Sequence, residues 1–400
     1  MFVALIILII LLVSRYLSYI FNSVILLNSY SAEAPFAFHL KKYFASNKKF
    51  GSTDRKTIAT LCYHYFRAGH LFADKSLEDK ILFSLFLCEH FDNPILKALK
   101  PELNGKISDT IENKCQFLQI SPVSSFPFLT EISDMINKES FINSFFYQPL
   151  LFLRIRPGRD KIVKDKLIGA GISFTENENN CLALKNSIAI NDILALNKEA
   201  VVQDASSQRV FSYLSNNSAI SFLQPVPCWD CCAASGGKSI LLYDVLNKNI
   251  KLTVSDIRKT VLYNCQKRLK QAGVNIHNSF LADLVSRGGV ATKEEFSIIV
   301  CDVPCSGRGT WARTPEQLHS FKKNQIDSYA DRQKKIVTNV EPHLQNGGLL
   351  FYITCSVFAK ENEEVVKYIS NNTGLKLLDE KYMEGFDRKA DTMFVAVFTK

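Results

Sequence analysis

Two cysteines follow directly on apolar runs, in Asp302-Val303-Pro304-Cys305-Ser306-Gly307-Arg308-Gly309-Thr310 and in Tyr352-Ile353-Thr354-Cys355-Ser356. The runs Ile298 to Val303 and Leu349 to Thr354 read as buried strands. In an open α/β sheet, ligands bind beyond the carboxyl ends of the strands. A lone cysteine in such a place is more often a small buried apolar group than a reactive one. Two of them beside a cofactor loop change that weighting. The loop is Trp229-Asp230-Cys231-Cys232-Ala233-Ala234-Ser235-Gly236-Gly237-Lys238-Ser239, with its glycine pair at a strand-to-helix junction. Small residues there let a ligand approach the backbone, and a helix N-terminus offers free N–H donors. The Gly-Lys-Ser ending suggests a phosphate-binding P-loop, but that motif needs glycine where Cys232 stands, and Gly-x-Gly-x-x-Gly is absent too. A nucleoside-cofactor loop of another type remains. Asp256 ends the next strand candidate, where a carboxylate can accept both ribose hydroxyls of an adenosine. Asp283, after the Val274 to Phe280 segment, comes in the right order to reach the adenine edge.

The elements that must position these residues are an α/β alternation. Cys228 to Ala233, Leu252 to Asp256, Ile298 to Val303 and Leu349 to Thr354 are strand candidates separated by helical stretches. They predict a doubly wound, mostly parallel sheet over residues 200–400. Before it, residues 141–199 read as a small α/β module with a strand from Leu150 to Ile155, a helix from Asp160 to Ala170 and a strand from Cys181 to Leu184. Residues 119–140, with Pro122 and Pro127, read as a linker. Residues 16–118 carry apolar groups at helical spacing, as in Ile58, Leu61, Cys62, Tyr65 and Phe66, and predict a helical N-terminal domain. In it Lys41, Lys42, Lys48, Lys49, Arg55 and Lys56 form a basic stretch that suits either a solvated loop or phosphate contact.

Residues 1–15 form an apolar extension. Met1 to Val13 is unbroken, yet spanning a bilayer takes about 20 apolar residues, and Ser14 and Arg15 interrupt the run. A signal peptide would have a basic start. Residues 16–29 are expected to form the first helix, with Leu17, Ile20, Phe21, Val24 and Leu27 facing a core. The run before it reads as a buried extension, an upstream start artefact or a weak membrane anchor. A formal net charge of +9 in 400 residues is mild and fits a nucleic-acid partner without naming one. Eleven cysteines, an odd number in an ordinary globular composition, read as reduced thiols in a cytoplasmic protein. Cys228 and Cys231 form a C-x-x-C pair, but no second pair accompanies it and a structural zinc needs four ligands, so no metal is expected.

Taken together the motifs resemble those of the Nop/Sun (RsmB-type) RNA cytosine-5 methyltransferases. Cys232-Ala233-Ala234-Ser235-Gly236-Gly237-Lys238-Ser239 is similar to their C-A-A-P-G-G-K-T, Asp302 to Gly307 to their D-A-P-C-S-G, and Tyr352 to Ser356 with Glu361-Asn362-Glu363 to their Y-S-T-C-S and E-N-E. Val202-Gln203-Asp204 with Ser207-Gln208 looks like the segment opening their catalytic domain. The resemblance implies a Rossmann-like class I fold, S-adenosylmethionine as cofactor and RNA as partner, ribosomal more than transfer. It implies Cys355 as the nucleophile, Cys305 as an aid to product release, and Asp302 on the polar edge of the cytosine. Lys238 would position or balance charge in the same site. Cys232 to Lys238, Asp256, Asp283 and Asp302 would hold the cofactor. The protein is expected to act as a monomer without stable membrane association. Two departures stand out: Ser235 replaces the family proline, which predicts a slightly looser loop, and Asp391-Thr392-Met393-Phe394 stands where D-G-F-F is common. The rival readings are a non-catalytic RNA-binding ribosome-assembly factor that kept the fold, and a DNA cytosine methyltransferase. A binding module needs neither cysteine nor Asp302. The DNA enzymes use the cysteine of the P-C motif, so the T-C-S and E-N-E pairing favours RNA.

Overall fold

A computed structural model describes residues 2–178, 180–186, 188–217, 224–286, 288–290 and 292–400, with backbone alone for residues 2–10. Met1, where the apolar run starts, lies outside the described residues. The chain forms two compact units that do not follow the boundaries read from the sequence. The first comprises Met1–Thr130, Asn137–Gln148 and Trp311–Lys322, and the second Glu131–Ile136, Pro149–Thr310 and Lys323–Lys400.

The first unit is helical. Its larger helices are Phe2–Asn28, Phe36–Ser46, Ser52–Arg67 and Leu77–Cys88. Side-chain caps set several starts: the Ser76 hydroxyl accepts from Asp79 N–H, and Asn93, ahead of Pro94, accepts from Ile95 and Leu96 N–H. Ile20, Leu26, Phe36, Ile58, Leu61, Ile81, Phe86 and Leu96 meet in one core. The first helix corrects the sequence reading. It runs unbroken through Ser14 and Arg15, since neither residue breaks a helix and no proline or glycine occurs between Phe2 and Asn28. Its buried stripe is Tyr19, Ile20, Ser23 and Leu26, while Leu17 and Phe21, expected in the core, are exposed together with Leu11 and Ile25. Arg15, about half exposed, pairs with Asp54 at 2.9 Å. The stretch Leu11–Asn28 is long and apolar enough to cross a membrane, and 28% of it is buried inside the protein. The six basic residues from Lys41 to Lys56 are spread over the ends of two helices and the turn between them.

The second unit holds two sheets. The smaller has strands β1 (Leu151–Ile155), β2 (Thr175–Asn177), β3 (Cys181–Leu184) and β4 (Ala200–Val202) in the order β2-β3-β1-β4, all antiparallel. The larger has β5 (Val226–Asp230), β6 (Ile250–Asp256), β7 (Ile276–Leu281), β8 (Phe296–Asp302), β9 (Leu344–Thr354), β10 (Lys376–Met383) and β11 (Met393–Thr399) in the order β10-β11-β9-β8-β5-β6-β7. Its pairs from β9 through β7 are parallel, and β11 joins β9 and β10 antiparallel.

Alternation along the central strands explains why the runs are apolar throughout: both faces are covered. Cys228, Val254, Ile298, Val300 and Phe351 pack under the helices Gly237–Val245 and Lys259–Gln271. Trp229, Ile299, Cys301, Leu350 and Tyr352 pack under Asn324–Val340 and Glu363–Asn372. Each such side chain contributes roughly 1.5–3 kcal/mol by leaving water. The two sheets are tied by charge. Arg154 and Arg156 of the β1 segment donate to Asp244 of the helix Gly237–Val245 at 2.6 and 2.7 Å, and all three side chains are almost fully buried.

Candidate active site

The crossover order of β5, β8 and β9 brings their carboxyl ends side by side, so the turns after them share one edge. After β5 the chain turns at Cys231–Ser235 and enters the helix at Gly237. Gly236 sits at φ +77°, and a Cβ there would meet Cys265 Sγ at 3.0 Å, so the turn requires glycine. A cavity of about 280 Å³ opens against this turn. Its walls include Ala233, Ala234, Ser235, Gly237, Lys238, Asp302 and Cys355.

Lys238 Nζ lies 2.6 Å from Asp302 Oδ2. Burial works against the ammonium, but Asp302, with Cys355 and Asp230 adding to it, holds Lys238 above its ordinary pKa and so charged. Asp230, at the end of β5 and fully buried, is pushed up to about 7 by burial, while the Ser239 hydroxyl donates to it at 2.5 Å. Cys305 does not line the cavity, yet its Sγ is 3.3 Å from Cys355 Sγ and accepts the Cys355 N–H at 3.3 Å. The hydrogen bond with Cys355, and then burial, lift the Cys305 thiol well above its usual value.

The remaining residues singled out in the sequence fall in several places. Asp256 is one layer back: its carboxylate accepts the Ala234 N–H at 3.2 Å and the Arg258 guanidinium at 3.0 and 3.1 Å. Burial opposes its charge, but the Arg258 contacts win and lower its pKa. Asp283 accepts from Val285 N–H and Ser286 Oγ within its own turn and is not in the cavity wall. Cys232 and Gly236 shape the turn from behind, outside the wall. Cys228 is buried, and Cys231 Sγ lies 3.4 Å from Cys301 Sγ. Ser235 is held: Arg268 Nη1 donates to its Oγ at 2.9 Å, which ties the loop where a looser one was expected.

Residues given no site role in the sequence reading complete the site. Arg268, Thr310, Asp391 and Met393 line the cavity, with Gln203, Asp204 and Ser207 of the opening segment. Gly309 lets two strands of chain close on Cys355: its N–H donates to Cys355 O at 2.8 Å, Thr392 N–H donates back to Gly309 O at 2.9 Å, and a Cβ would collide with Thr392 O. Glu361 had a motif but no role. Fully buried, it accepts from Ser306 N–H at 2.8 Å, Ser356 Oγ at 2.8 Å and Gln333 Nε2 at 3.0 Å, so one carboxylate holds both cysteine turns. Asn362 adds a bond from Nδ2 to Ser356 O at 3.0 Å and accepts from Thr354 Oγ1 at 2.6 Å.

A seven-stranded sheet of this order, with a small-residue turn after its central strand and an acid ending the next, is a Rossmann-like α/β fold, shared with a methyltransferase homologue of known structure. Residues 223–396 match the family model described as 16S rRNA methyltransferase RsmB/F. The chain is 29% identical over 205 residues to the probable ribosomal RNA small subunit methyltransferase B of Bacillus subtilis, covering 50% of this chain and 44% of that protein. It is 32% identical over 165 residues to ribosomal RNA small subunit methyltransferase B of an Enterobacter species, covering 41% and 37%. The matched stretch thus spans less than half of these relatives. Among solved structures, PH0851 aligns with a TM-score of 0.70 at 15% identity over 96% of this chain and 98% of its own. A methyltransferase homologue from Pyrococcus horikoshii aligns at 0.56 and 18% identity, over 72% and 98%.

The cofactor of such a domain is S-adenosylmethionine, and the residues fit it. Ala233, Ala234, Ser235 and Gly237, all with small side chains or none, line the cavity and leave room for a ligand against the turn. The Asp256 carboxylate accepts the Ala234 N–H, and its partner Arg258 is largely exposed.

Proposed function

We propose that the chain transfers a methyl group from S-adenosylmethionine to carbon 5 of a cytosine in RNA, ribosomal rather than transfer, through a covalent bond between Cys355 and the base. One observation carries the reading: two thiols 3.3 Å apart, one of them on the wall of the cavity that holds the Lys238–Asp302 pair and the cofactor turn. Carbon 5 of cytosine is a poor nucleophile. Addition of the Cys355 thiolate to carbon 6 moves electron density onto carbon 5 and divides one hard step into easier ones. When bound, S-adenosylmethionine supplies the electrophilic methyl. Asp302 hydrogen-bonds the polar edge of the ring and favours the adduct, and Lys238 balances the charge beside it. The base must be unstacked or single-stranded for its carbon 6 to meet Cys355.

Release requires loss of the carbon 5 proton as the carbon–sulfur bond breaks. The chief cause holding Cys305 protonated is its contact with Cys355. Once Cys355 is a thioether it carries no charge and competes for no proton. Cys305 can then give its own proton to solvent and, as a thiolate, take the carbon 5 proton; the electrons of that carbon–hydrogen bond restore the ring double bond and expel the Cys355 thiolate.

The test is transfer of labelled methyl to RNA or DNA, followed by digestion and mass analysis of the nucleosides. Label is expected in 5-methylcytidine from RNA; label in another nucleoside, in DNA alone, or nowhere despite cofactor binding overturns the proposal. The role of Asp256 is checked separately. Replacement by alanine removes a charge-assisted hydrogen bond and should weaken cofactor affinity by roughly 10- to 100-fold. An unchanged calorimetric Kd would reject Asp256 as a ribose contact.

A further inference from the structure

On the flank of the second unit, away from the cofactor turn, a cleft of about 350 Å³ is lined by Arg156, Arg159, Lys198, Lys248 and Lys270, with no carboxylate in its wall. The acid beneath it, Asp244, is already taken by Arg154 and Arg156. Arg159, Lys198, Lys248 and Lys270 are exposed, and none forms an ion pair with a described carboxylate. Like charges gathered from four separate segments of the chain repel one another, so the arrangement gains by taking up an anion.

The cleft is joined to the cavity at the active site through two residues. Arg156 Nη1 donates to Asn197 O at 2.6 Å, and Arg268 Nε donates to Asn197 Oδ1 at 2.9 Å. Asn197 Nδ2 also reaches Gln271 Oε1 at 3.4 Å. Gln271 lines the cleft and Arg268 lines the active-site cavity, one helical turn apart, about 5 Å along the axis. The basic cleft therefore adjoins the active-site cavity at Arg268, while Lys238 deeper in that cavity is paired with Asp302. Arg159, Lys198, Lys248 and Lys270 come from separate parts of the chain, so a ligand carrying several phosphates can engage more of them than a single small anion can.

We propose that this cleft binds the phosphodiester backbone of the RNA flanking the target cytosine, with Asn197 and Arg268 carrying the strand from the cleft to the active site. The proposal deepens the RNA reading above and rests on it. The experiment uses the full chain, a Lys198→Glu, Lys248→Glu, Lys270→Glu triple variant, and the matching triple glutamine variant, which changes charge least and guards against misfolding. Binding of labelled single-stranded RNA is followed by fluorescence anisotropy across a salt series, and cofactor affinity is measured by calorimetry on the same preparations. Losing three phosphate contacts should lower the slope of log affinity against log salt by about 2 and weaken binding at least about tenfold. Cofactor affinity is expected to stay unchanged. RNA affinity and slope equal to those of the parent protein, with intact cofactor binding, overturn the proposal. So does full competition by millimolar inorganic phosphate, which marks a small-anion site. Variants that lose binding to vesicles containing phosphatidylglycerol while keeping RNA binding also overturn it, in favour of a membrane surface. A parent protein that binds RNA through the cleft yet methylates no cytosine would defeat the enzymatic reading and leave the cleft assignment standing. Methylation of cytosine with a salt slope unmoved by the variants would do the reverse.

Discussion

A Cys355→Ala variant is expected to lose methyl transfer by on the order of 10⁴-fold or more while its affinity for S-adenosylmethionine stays within about twofold of the parent. Cys355 is on the wall of the cavity, but the groups proposed to hold the cofactor are the turn after β5 and Asp256, neither of which bonds to its sulfur. The neighbouring thiol does not rescue the reaction, even though its sulfur is only 3.3 Å away. Cys305 is half-buried and outside the cavity wall, so it is worse placed than Cys355 to meet a base seated there. Rates come from labelled methyl incorporated into RNA, and affinity from calorimetry. Full turnover in the variant would refute the assignment, and turnover abolished only in the Cys305, Cys355 double variant would move the nucleophile to Cys305.

The second large effect concerns Cys305. Its replacement by alanine should leave the first half of the reaction running and stop the second, because no group remains 3.3 Å from the alkylated sulfur to take the carbon 5 proton. A covalent protein–RNA species should then accumulate and run as a retarded band on a denaturing gel, dependent on both RNA and cofactor. The same band should be missing when Cys355 is replaced as well. No band in the single variant, with multiple turnover preserved, would remove Cys305 from the release step. Replacement by serine is the sharper version. It restores a hydroxyl of similar size, but an alcohol ionises far less readily than a thiol, so the trapped species should persist.

Much of this arrangement was legible in the chain because it depends on local signals. Strand-end placement of Asp256, Asp302 and Cys355 follows from apolar runs that stop: the sequence reading puts the strand ends within one residue and the starts within two to five. The glycine turn announces itself by composition. Arg268 gave no such signal. It stands near the end of the amphipathic helix Lys259–Gln271, and only the packing of that helix on β6 brings its guanidinium to Ser235. Glu361 was visible in the E-N-E motif, yet its grip on Ser306 depends on a contact 55 residues away along the chain. β10 and β11 were not read as strands; their antiparallel pairing to β9 is a tertiary fact. In the first helix, hydropathy suggested a break at Ser14 and Arg15, but backbone propensity governs helix continuity and it favoured none there. On that helix Tyr19 and Arg15 meet Asp54, again a long-range contact.

The Asp244 junction with Arg154 and Arg156 has a consequence for how a substrate is measured. Pulling the small sheet from the large one would strand buried charges, at a cost of roughly 3–5 kcal/mol for each broken partnership, so the two turn as one block with no hinge at residue 200. A strand lying along the lysines and entering at Arg268 would therefore span a set length between its grip and the reacting sulfur. The junction then serves as a ruler: which nucleotide is modified would be decided by counting from the held backbone as well as by the identity of the base.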